Sequence, residues 1–336
     1  MAGQASASDF PKLLKEFPFF PYRGLPIPQT EAQTRAWPNV LSELAHLAEK
    51  EDWSGNKADG TPATHEYQIL NNYISYTYQR LVIQDKIMIS DNEGYATFNT
   101  GLLDVHDQEI FGFFHKNSRA QAGKQDWLFI RWVVESDRDF MNSFSTPPDM
   151  AEYVTDSADL VYDHRRQLVI DYNHVLVDNL DRFPLDLQKN PSRARMALDA
   201  AVARTLKRLR RNYKLAIPQW YPRLGREGAQ LLLPLDLTGS GTADLAFVVG
   251  TAGDRYRGTT VLSLEMAYTN ARLIARPDSE CLQPLSTTTT TAEDQLDPTS
   301  PNIGTKREQD SSWESGRRPL SLQAQQAHHS LVYGRR

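Results

Sequence analysis

A histidine and an aspartate stand four residues apart in the segment NHVLVDNLDRF, which spans residues 173–183. Residues four apart share one face of a helix, so Asp178 could orient the imidazole of His174 for proton transfer. The same spacing also suits a histidine that caps or packs its helix, and this structural interpretation is the one that the residues alone favour. His174 and Asp178 are the candidate catalytic residues, on a predicted helix that Pro184 ends.

Asparagine, threonine and arginine recur in three segments, and these residue types donate hydrogen bonds to phosphates and bases. They are FNTGL (98–102), DNLDRFP (178–184) and AYTNARLIARPDS (267–279). The last of them overlaps a helix-like run (265–275) that directly follows a strand-like run (259–264). Free backbone N–H groups at such a strand-to-helix junction often face a ligand. The candidate ligand-binding residues are Asn99, Thr100, Asn179, Arg182, Asn270, Arg272 and Arg276.

Each of these segments also has a structural interpretation. In FNTGL the asparagine and threonine side chains can satisfy the turn itself, which the residues alone favour. Asn270 and Arg272 are two apart on a predicted helix, so they cannot both face one point. Arg276 can hold the chain exit by an ion pair with Asp278 across Pro277.

Positive charge is concentrated between Ser192 and Lys214, a stretch with eight Lys or Arg and one acid, hence a local charge of +7 (8 − 1) in a chain of −5. On a helix of 3.6 residues per turn, Leu198, Val202, Leu206, Leu209 and Tyr213 form one apolar side. Arg193, Arg204, Lys207, Arg208 and Arg211 fall opposite. This helix (192–214) is either a contact surface for a nucleic-acid backbone or a solvated face that pairs with acids elsewhere.

The composition limits the classes of function. With 336 residues, 40% of them apolar, the chain can bury a sizeable core. Its single cysteine, Cys281, excludes an internal disulfide and a thiolate zinc site, and no histidine spacing indicates a metal. No secretory signal and no apolar run of membrane-spanning length is found, so we expect a cytoplasmic protein, with a nuclear location also open, and no membrane partner.

The chain is predicted to form an α+β fold. Residues 1–37 make a Pro- and aromatic-rich arm, and residues 38–283 make a single compact domain with a mixed or antiparallel sheet and helices packed on its faces. Pro38 is predicted to begin the first helix. Beyond residue 283 the composition shifts to threonine, serine, glutamine and arginine, which predicts a disordered tail over residues 284–336.

Six segments in a fixed order resemble the family called domain of unknown function 3825. They are LAEKEDW (47–53), ILNNYISYTYQRL (69–81), FNTGL, DNLDRFP, LLLPLDL (231–237) and AYTNARLIARPDS. The resemblance covers roughly residues 40–283, and Glu265 and Met266 before the last segment also match. Cys281 departs from the tryptophan that many members carry there. The resemblance implies no particular reaction, but some members carry the domain beside small nucleic-acid-binding modules, which implies an RNA-linked role.

Three functions are therefore open. The first is binding of RNA, single-stranded nucleic acid or a nucleotide through the basic helix and the polar cluster. The second is an enzyme, a hydrolase or transferase acting on a nucleotide or RNA phosphate, in which the arginines hold the phosphate and His174 or Asp178 moves a proton. The third is a non-catalytic interaction scaffold. The sequence leaves any cofactor unknown. If the polar residues share one pocket with an acid at its wall, the enzyme gains support, and if they scatter into ion pairs, the scaffold does.

Overall fold

The structure is a computed structural model that describes residues 10–24, 28–54, 66–120, 125–221 and 229–276. All of them belong to one compact unit, residues 1–287. The tail predicted over residues 284–336 lies outside the described residues, as do Asp278 and Cys281.

The first half of the described chain builds a five-stranded sheet, here sheet 1. Its strands are β1 (Pro18–Phe19), β2 (Met88–Ile89), β3 (Tyr95–Leu103), β4 (Glu109–Lys116) and β5 (Trp127–Val134). The order is β1-β5-β4-β3-β2, so β2 to β5 form an antiparallel meander and β1 pairs in parallel with the last of them.

The second half builds sheet 2 with the same plan. Its strands are β6 (Leu168–Ile170), β7 (Ile217–Gln219), β8 (Gln230–Leu235), β9 (Leu245–Ala252) and β10 (Arg255–Leu262). The order is β6-β10-β9-β8-β7, again an antiparallel meander with the first strand parallel to the last. Both faces of β8 and β9 are apolar, which requires a packed layer on each face.

Helices supply those layers. They are α1 (Gln29–Leu47), α2 (Gln68–Ile83), α3 (Arg138–Ser143), α4 (Tyr172–Leu176), α5 (Leu185–Gln188), α6 (Pro191–Leu209) and α7 (Leu264–Arg272). The helices α1 and α2 pack with sheet 1 around the largest core cluster. On sheet 2, α6 covers one face and α7 the other. The α+β class with mixed sheets and helices on their faces is therefore confirmed, with two sheets in place of one.

Aromatic residues of the N-terminal arm are part of the first core. The ring of Phe17 is 1% exposed, and its centroid lies 5.0 Å from that of Phe114 and 5.3 Å from that of Tyr78. Phe10 packs edge-on against Phe17. Burial of these large apolar side chains holds residues 10–20 to sheet 1.

Three predicted helix boundaries were wrong. The first helix begins at Gln29 and contains Pro38, because Val40 and Leu44 on the same helix are buried in the core and their packing outweighs the backbone hydrogen bond lost at proline. The basic helix ends at Leu209, and Tyr213 lies in a 3-10 turn, 61% exposed. The segment at 173–183 is not one helix but α4 followed by a separate 3-10 turn.

Candidate functional site

A cleft of about 850 Å³ opens between α2 and the face of sheet 2 that also carries α7. Its floor comes from β8, β9 and β10, one wall from α2, another from α7, and one end from α4 and the turn after it. The lining residues are Gln68, Asn72, Tyr76, His174, Asn179, Arg182, Gln219, Tyr221, Gln230, Val248, Gly250, Thr251, Ala252, Arg257, Thr259, Thr260, Leu262, Glu265, Met266, Thr269 and Asn270.

Neutral amides form one edge of the cleft, on β7, β8 and α7. The Asn270 Nδ2 donates to Gln219 Oε1 at 3.1 Å, and the Gln219 Nε2 donates to Gln230 Oε1 at 3.2 Å. Gln219 and Asn270 are buried, and a buried polar group without a hydrogen bond destabilises the fold. The two hydrogen bonds give these side chains partners. We call these three residues the amide edge.

A second set of amides lies on α2. The Asn72 Oδ1 accepts from Gln68 Nε2 and from Asn71 Nδ2, each at 3.3 Å. The Asn71 Oδ1 accepts in turn from the indole of Trp37 on α1 at 2.8 Å. These bonds fix the orientation of the amides that α2 presents to the cleft.

Arginines form the opposite edge, on β10 and the turn after α4, with His174 of α4 beside them; we call Arg182 and Arg257 the cationic edge. Arg182 donates to the backbone oxygen of Val261, and among the described residues no carboxylate lies within 4.0 Å of its guanidinium. Arg257 pairs with Asp171 at 2.7 Å.

Asp171 connects this edge to α4. Its Oδ1 accepts from the backbone N–H of His174 and so caps α4. The hydrogen bond from Arg257, and after it the bond from His174 N–H, hold the pKa of Asp171 below its ordinary value. The carboxylate therefore stays ionised and keeps both α4 and Arg257 in place.

His174 carries a partner for its ring. Its Nδ1 lies 2.7 Å from Asp178 Oδ2, and its backbone oxygen accepts from Asn179 Nδ2 at 2.6 Å. An imidazole with an acid on Nδ1 has the geometry of a general base or acid at Nε2. Asp178 itself is exposed and outside the cleft lining.

Four of the predicted residues meet in this cleft: His174, Asn179, Arg182 and Asn270. They come from α4, the turn after it and α7. Sequence reasoning did not predict Gln219, Gln230 or Arg257, which lie on strands. The available signal was a glutamine at the end of each of two otherwise apolar strands. Such a strand is largely buried, and a buried polar side chain needs a hydrogen-bond partner.

Asn99 and Thr100 lie away from the cleft, buried in sheet 1. The Asn99 Nδ2 donates to the Pro148 oxygen at 3.2 Å and its Oδ1 accepts from the Gly101 N–H at 2.8 Å. The Thr100 hydroxyl donates to Ile110 O at 2.7 Å. In this structure both side chains satisfy the backbone around the bulge in β3.

Arg272 points away from the cleft. Its Nε lies 2.8 and 2.9 Å from the two oxygens of Glu51, and its guanidinium lies over the rings of Trp53 and Tyr73. Burial lowers the pKa of Arg272, but the hydrogen bond and charge of Glu51 outweigh it, and the pKa is raised above its ordinary value. Arg276 is exposed at the end of the described chain, outside the cleft.

The basic side of α6 is exposed. Within the part of the chain that the structure describes, none of its five predicted cations pairs with a carboxylate. These residues are Arg193, Arg204, Lys207 and Arg208 of α6 and Arg211, which follows the end of the helix at Leu209; we call these five the basic side of α6. Arg204 and Arg211 donate to backbone oxygens of Asp236 and Lys207. Because α6 and α7 cover opposite faces of sheet 2, this basic side and the cleft lie on opposite sides of that sheet.

The described residues contain no group of three or more His, Cys, Asp or Glu residues placed to hold a metal ion. None of their helices has the length and apolar character that crossing a membrane requires.

Comparison with known proteins gives one match. No curated protein and no solved structure matches the chain. Residues 44–281 match the family described as Domain of unknown function (DUF3825), which covers well over half of the chain and every residue of the cleft. The chain therefore belongs to this family.

Proposed function

We propose that the cleft binds a nucleotide, free or at the end of an RNA strand, and that the basic side of α6 contacts the RNA backbone. The observation that carries the proposal is the polarity of the cleft. Neutral amides form one edge and Arg182, without a carboxylate partner among the described residues, lies at the other. A base needs neutral donors and acceptors, and a phosphate needs a cation.

The sheet explains how one ligand can reach both edges. The strand β9 separates β8, which carries Gln230, from β10, which carries Arg257, so the two edges are about 10 Å apart. Tyr76 and Tyr221 add aromatic rings to the lining, and aromatic rings stack on bases of any type.

The helix α4 connects the cleft to the basic side of α6. It packs on β10 and on α6, and Tyr172 of α4 lies under the guanidinium of Arg195 at 4.4 Å and bonds to Asp199 of α6. An RNA strand whose end occupies the cleft can pass this edge of sheet 2 and continue along the exposed cations. Each phosphate that these cations neutralise releases counterions, which increases the affinity for RNA.

Catalysis on a phosphate is the second candidate function, and the His174–Asp178 pair favours it. His174 lines the cationic edge with its Nδ1 bonded to Asp178, and Glu265 stands in the wall. In such a site Arg182 would hold the phosphate and His174 would transfer a proton. A scaffold without a ligand gains support from candidate residues outside the cleft: Arg272 pairs with Glu51, and Asn99 and Thr100 bond to the backbone.

A substitution on the floor of the cleft tests the proposal. Gly250 lies on β9, and a Cβ there meets only the flexible Gln230 side chain, at 3.3 Å from Nε2. Gly250→Leu should fill the cleft and weaken binding of nucleoside 5′-monophosphates by at least tenfold in isothermal titration calorimetry. Ala200→Leu, at an exposed position of α6 outside the cleft, is a control for an added leucine side chain. Equal affinity of wild type and a folded Gly250→Leu variant would refute nucleotide binding in the cleft.

A further inference from the structure

The cleft is buried at one edge and exposed at the other. At the amide edge, Gln219 and Asn270 are buried. At the cationic edge, the side chain of Arg257 is 58% exposed and that of His174 beside it is 49% exposed. A phosphate that leaves water needs a cation in its place, whereas a neutral base can exchange water for amides. The phosphate backbone of a bound strand therefore lies at the exposed edge, and a base reaches the buried one.

Packed aromatic side chains border the amide edge. Trp220 directly follows Gln219, and its backbone N–H donates to Asn270 O at 3.4 Å. The side chain of Trp220 is buried, and its ring centroid lies 5.3 Å from that of Tyr153. Both rings belong to the largest core cluster, which leaves no path for a strand at this edge. The nucleotide whose base lies there is therefore the last of its strand.

The charges of the cleft match one phosphate group. Arg257 and His174 each lie 2.7 Å from an aspartate, whereas Arg182 has no carboxylate within 4.0 Å among the described residues. The other described residues of the lining are neutral, apart from one acid, Glu265. A second phosphate on the same nucleotide would lose water between the two edges without a cation to replace it.

From these three observations we infer that the cleft accepts a hydroxyl-terminated end of an RNA strand and rejects an end that carries a terminal phosphate; the inference rests on the proposed function. The phosphate that links the last nucleotide to its strand lies at the cationic edge, and the strand leaves past α4 toward the basic side of α6. The terminal hydroxyl lies between the edges, where Thr259 and Thr260 of β10 line the cleft. A 3′-hydroxyl end and a 5′-hydroxyl end share this chemistry.

A second phosphate on a free nucleotide tests the inference. AMP and adenosine 3′,5′-bisphosphate differ only in the phosphate on the 3′ oxygen. We expect the bisphosphate to bind the full chain at least tenfold more weakly than AMP in isothermal titration calorimetry. Attraction to arginine alone predicts the opposite order, because the bisphosphate carries more negative charge.

A cation added to the wall should remove this discrimination. Met266 lies on α7, is exposed and lines the cleft, and Met266→Lys should reduce the difference between the two nucleotides to threefold or less. Met141→Lys, at an exposed methionine of α3 outside the cleft, adds the same charge and should leave the difference unchanged. A difference that persists in folded Met266→Lys, or that shrinks equally in both variants, would overturn the inference.

Short RNA strands with a fluorophore on an internal base identify the end that enters. Anisotropy titrations with AMP as competitor measure the binding that AMP displaces. Phosphorylation of both ends should weaken this binding at least tenfold. Phosphorylation of the 3′ end alone has this effect if the 3′ end enters, and phosphorylation of the 5′ end alone has it if the 5′ end enters. If either end can enter, only the double modification has it.

The outcomes separate the two proposals. If AMP binds and the bisphosphate binds as tightly or more tightly, the selection of a hydroxyl end is overturned and nucleotide binding stands. The same conclusion follows if strands phosphorylated at both ends keep their AMP-displaceable binding. If neither nucleotide binds to folded wild-type protein, both proposals fail.

Discussion

Replacing Arg272 by methionine is expected to destabilise the protein by about 3–5 kcal/mol, because the change leaves a buried carboxylate without its cation. Glu51 is 4% exposed and Arg272 15% exposed at the side chain, and both oxygens of Glu51 bond to Arg272 Nε. Among the described residues, the other partner of Glu51 is the Tyr268 hydroxyl at 3.3 Å, which cannot replace a charge. The free energy of unfolding in urea, measured near pH 7, checks this result.

Two further variants test whether the loss comes from the unpaired carboxylate of Glu51. The double variant Glu51→Gln and Arg272→Met removes both charges and should recover most of the loss. Arg165→Met breaks a pair with Asp163 in which Arg165 is 82% exposed, and it should leave the free energy of unfolding nearly unchanged. A loss below about 1 kcal/mol in Arg272→Met would contradict a structural role for the buried pair and would return Arg272 to the list of ligand candidates.

Reversing three charges on the basic side of α6 is the second change with a large expected effect. The triple variant Arg204→Glu, Arg208→Glu and Arg211→Glu should weaken binding of single-stranded RNA by about 100-fold at 0.1 M salt. Each backbone contact on a single strand adds about 0.7 to the slope of log affinity against log salt, so three lost contacts lower the slope by about 2. Fluorescence anisotropy of a labelled RNA over a range of salt concentrations measures both quantities.

A matched control distinguishes the effect of charge on the basic side of α6 from the effect of the net charge of the protein. Arg35→Glu, Arg119→Glu and Arg138→Glu change the net charge by the same amount at exposed positions of the first half of the chain. This control should keep its salt slope within about 0.5 of wild type. An unchanged affinity in the α6 variant, or an equal loss in both triple variants, would remove the basic side of α6 from the account.

The spacing of residues along the chain predicted which side of a helix is buried. The apolar side of α6 was predicted from spacing, and Leu198 and Val202 are buried as expected. The spacing of Asn270 and Arg272 predicted that they face different ways, and the structure confirms it: the first lines the cleft and the second bonds to Glu51. Such predictions succeed because the regular geometry of a helix fixes the directions of neighbouring side chains relative to one another.

The partners of those residues were not predictable from the sequence. Glu51 is 221 residues from Arg272, and Gln219 is 51 residues from Asn270, so no local pattern connects either pair. The boundaries of α1 failed for the same reason, since packing against sheet 1 overrides the tendency of Pro38 to begin a helix. The shared plan of the two sheets emerges only from strand pairing, which the sequence does not display.

Photocrosslinking of the purified full chain to single-stranded RNA tests the central claim most directly. Mass spectrometry of the crosslinked peptides should identify Tyr76 or Tyr221 of the cleft together with residues of α6, and a tenfold excess of AMP should remove the cleft crosslinks while those on α6 remain. Crosslinks confined to the first half of the chain outside α2, or cleft crosslinks that AMP does not displace, would contradict a nucleotide site between α2 and sheet 2.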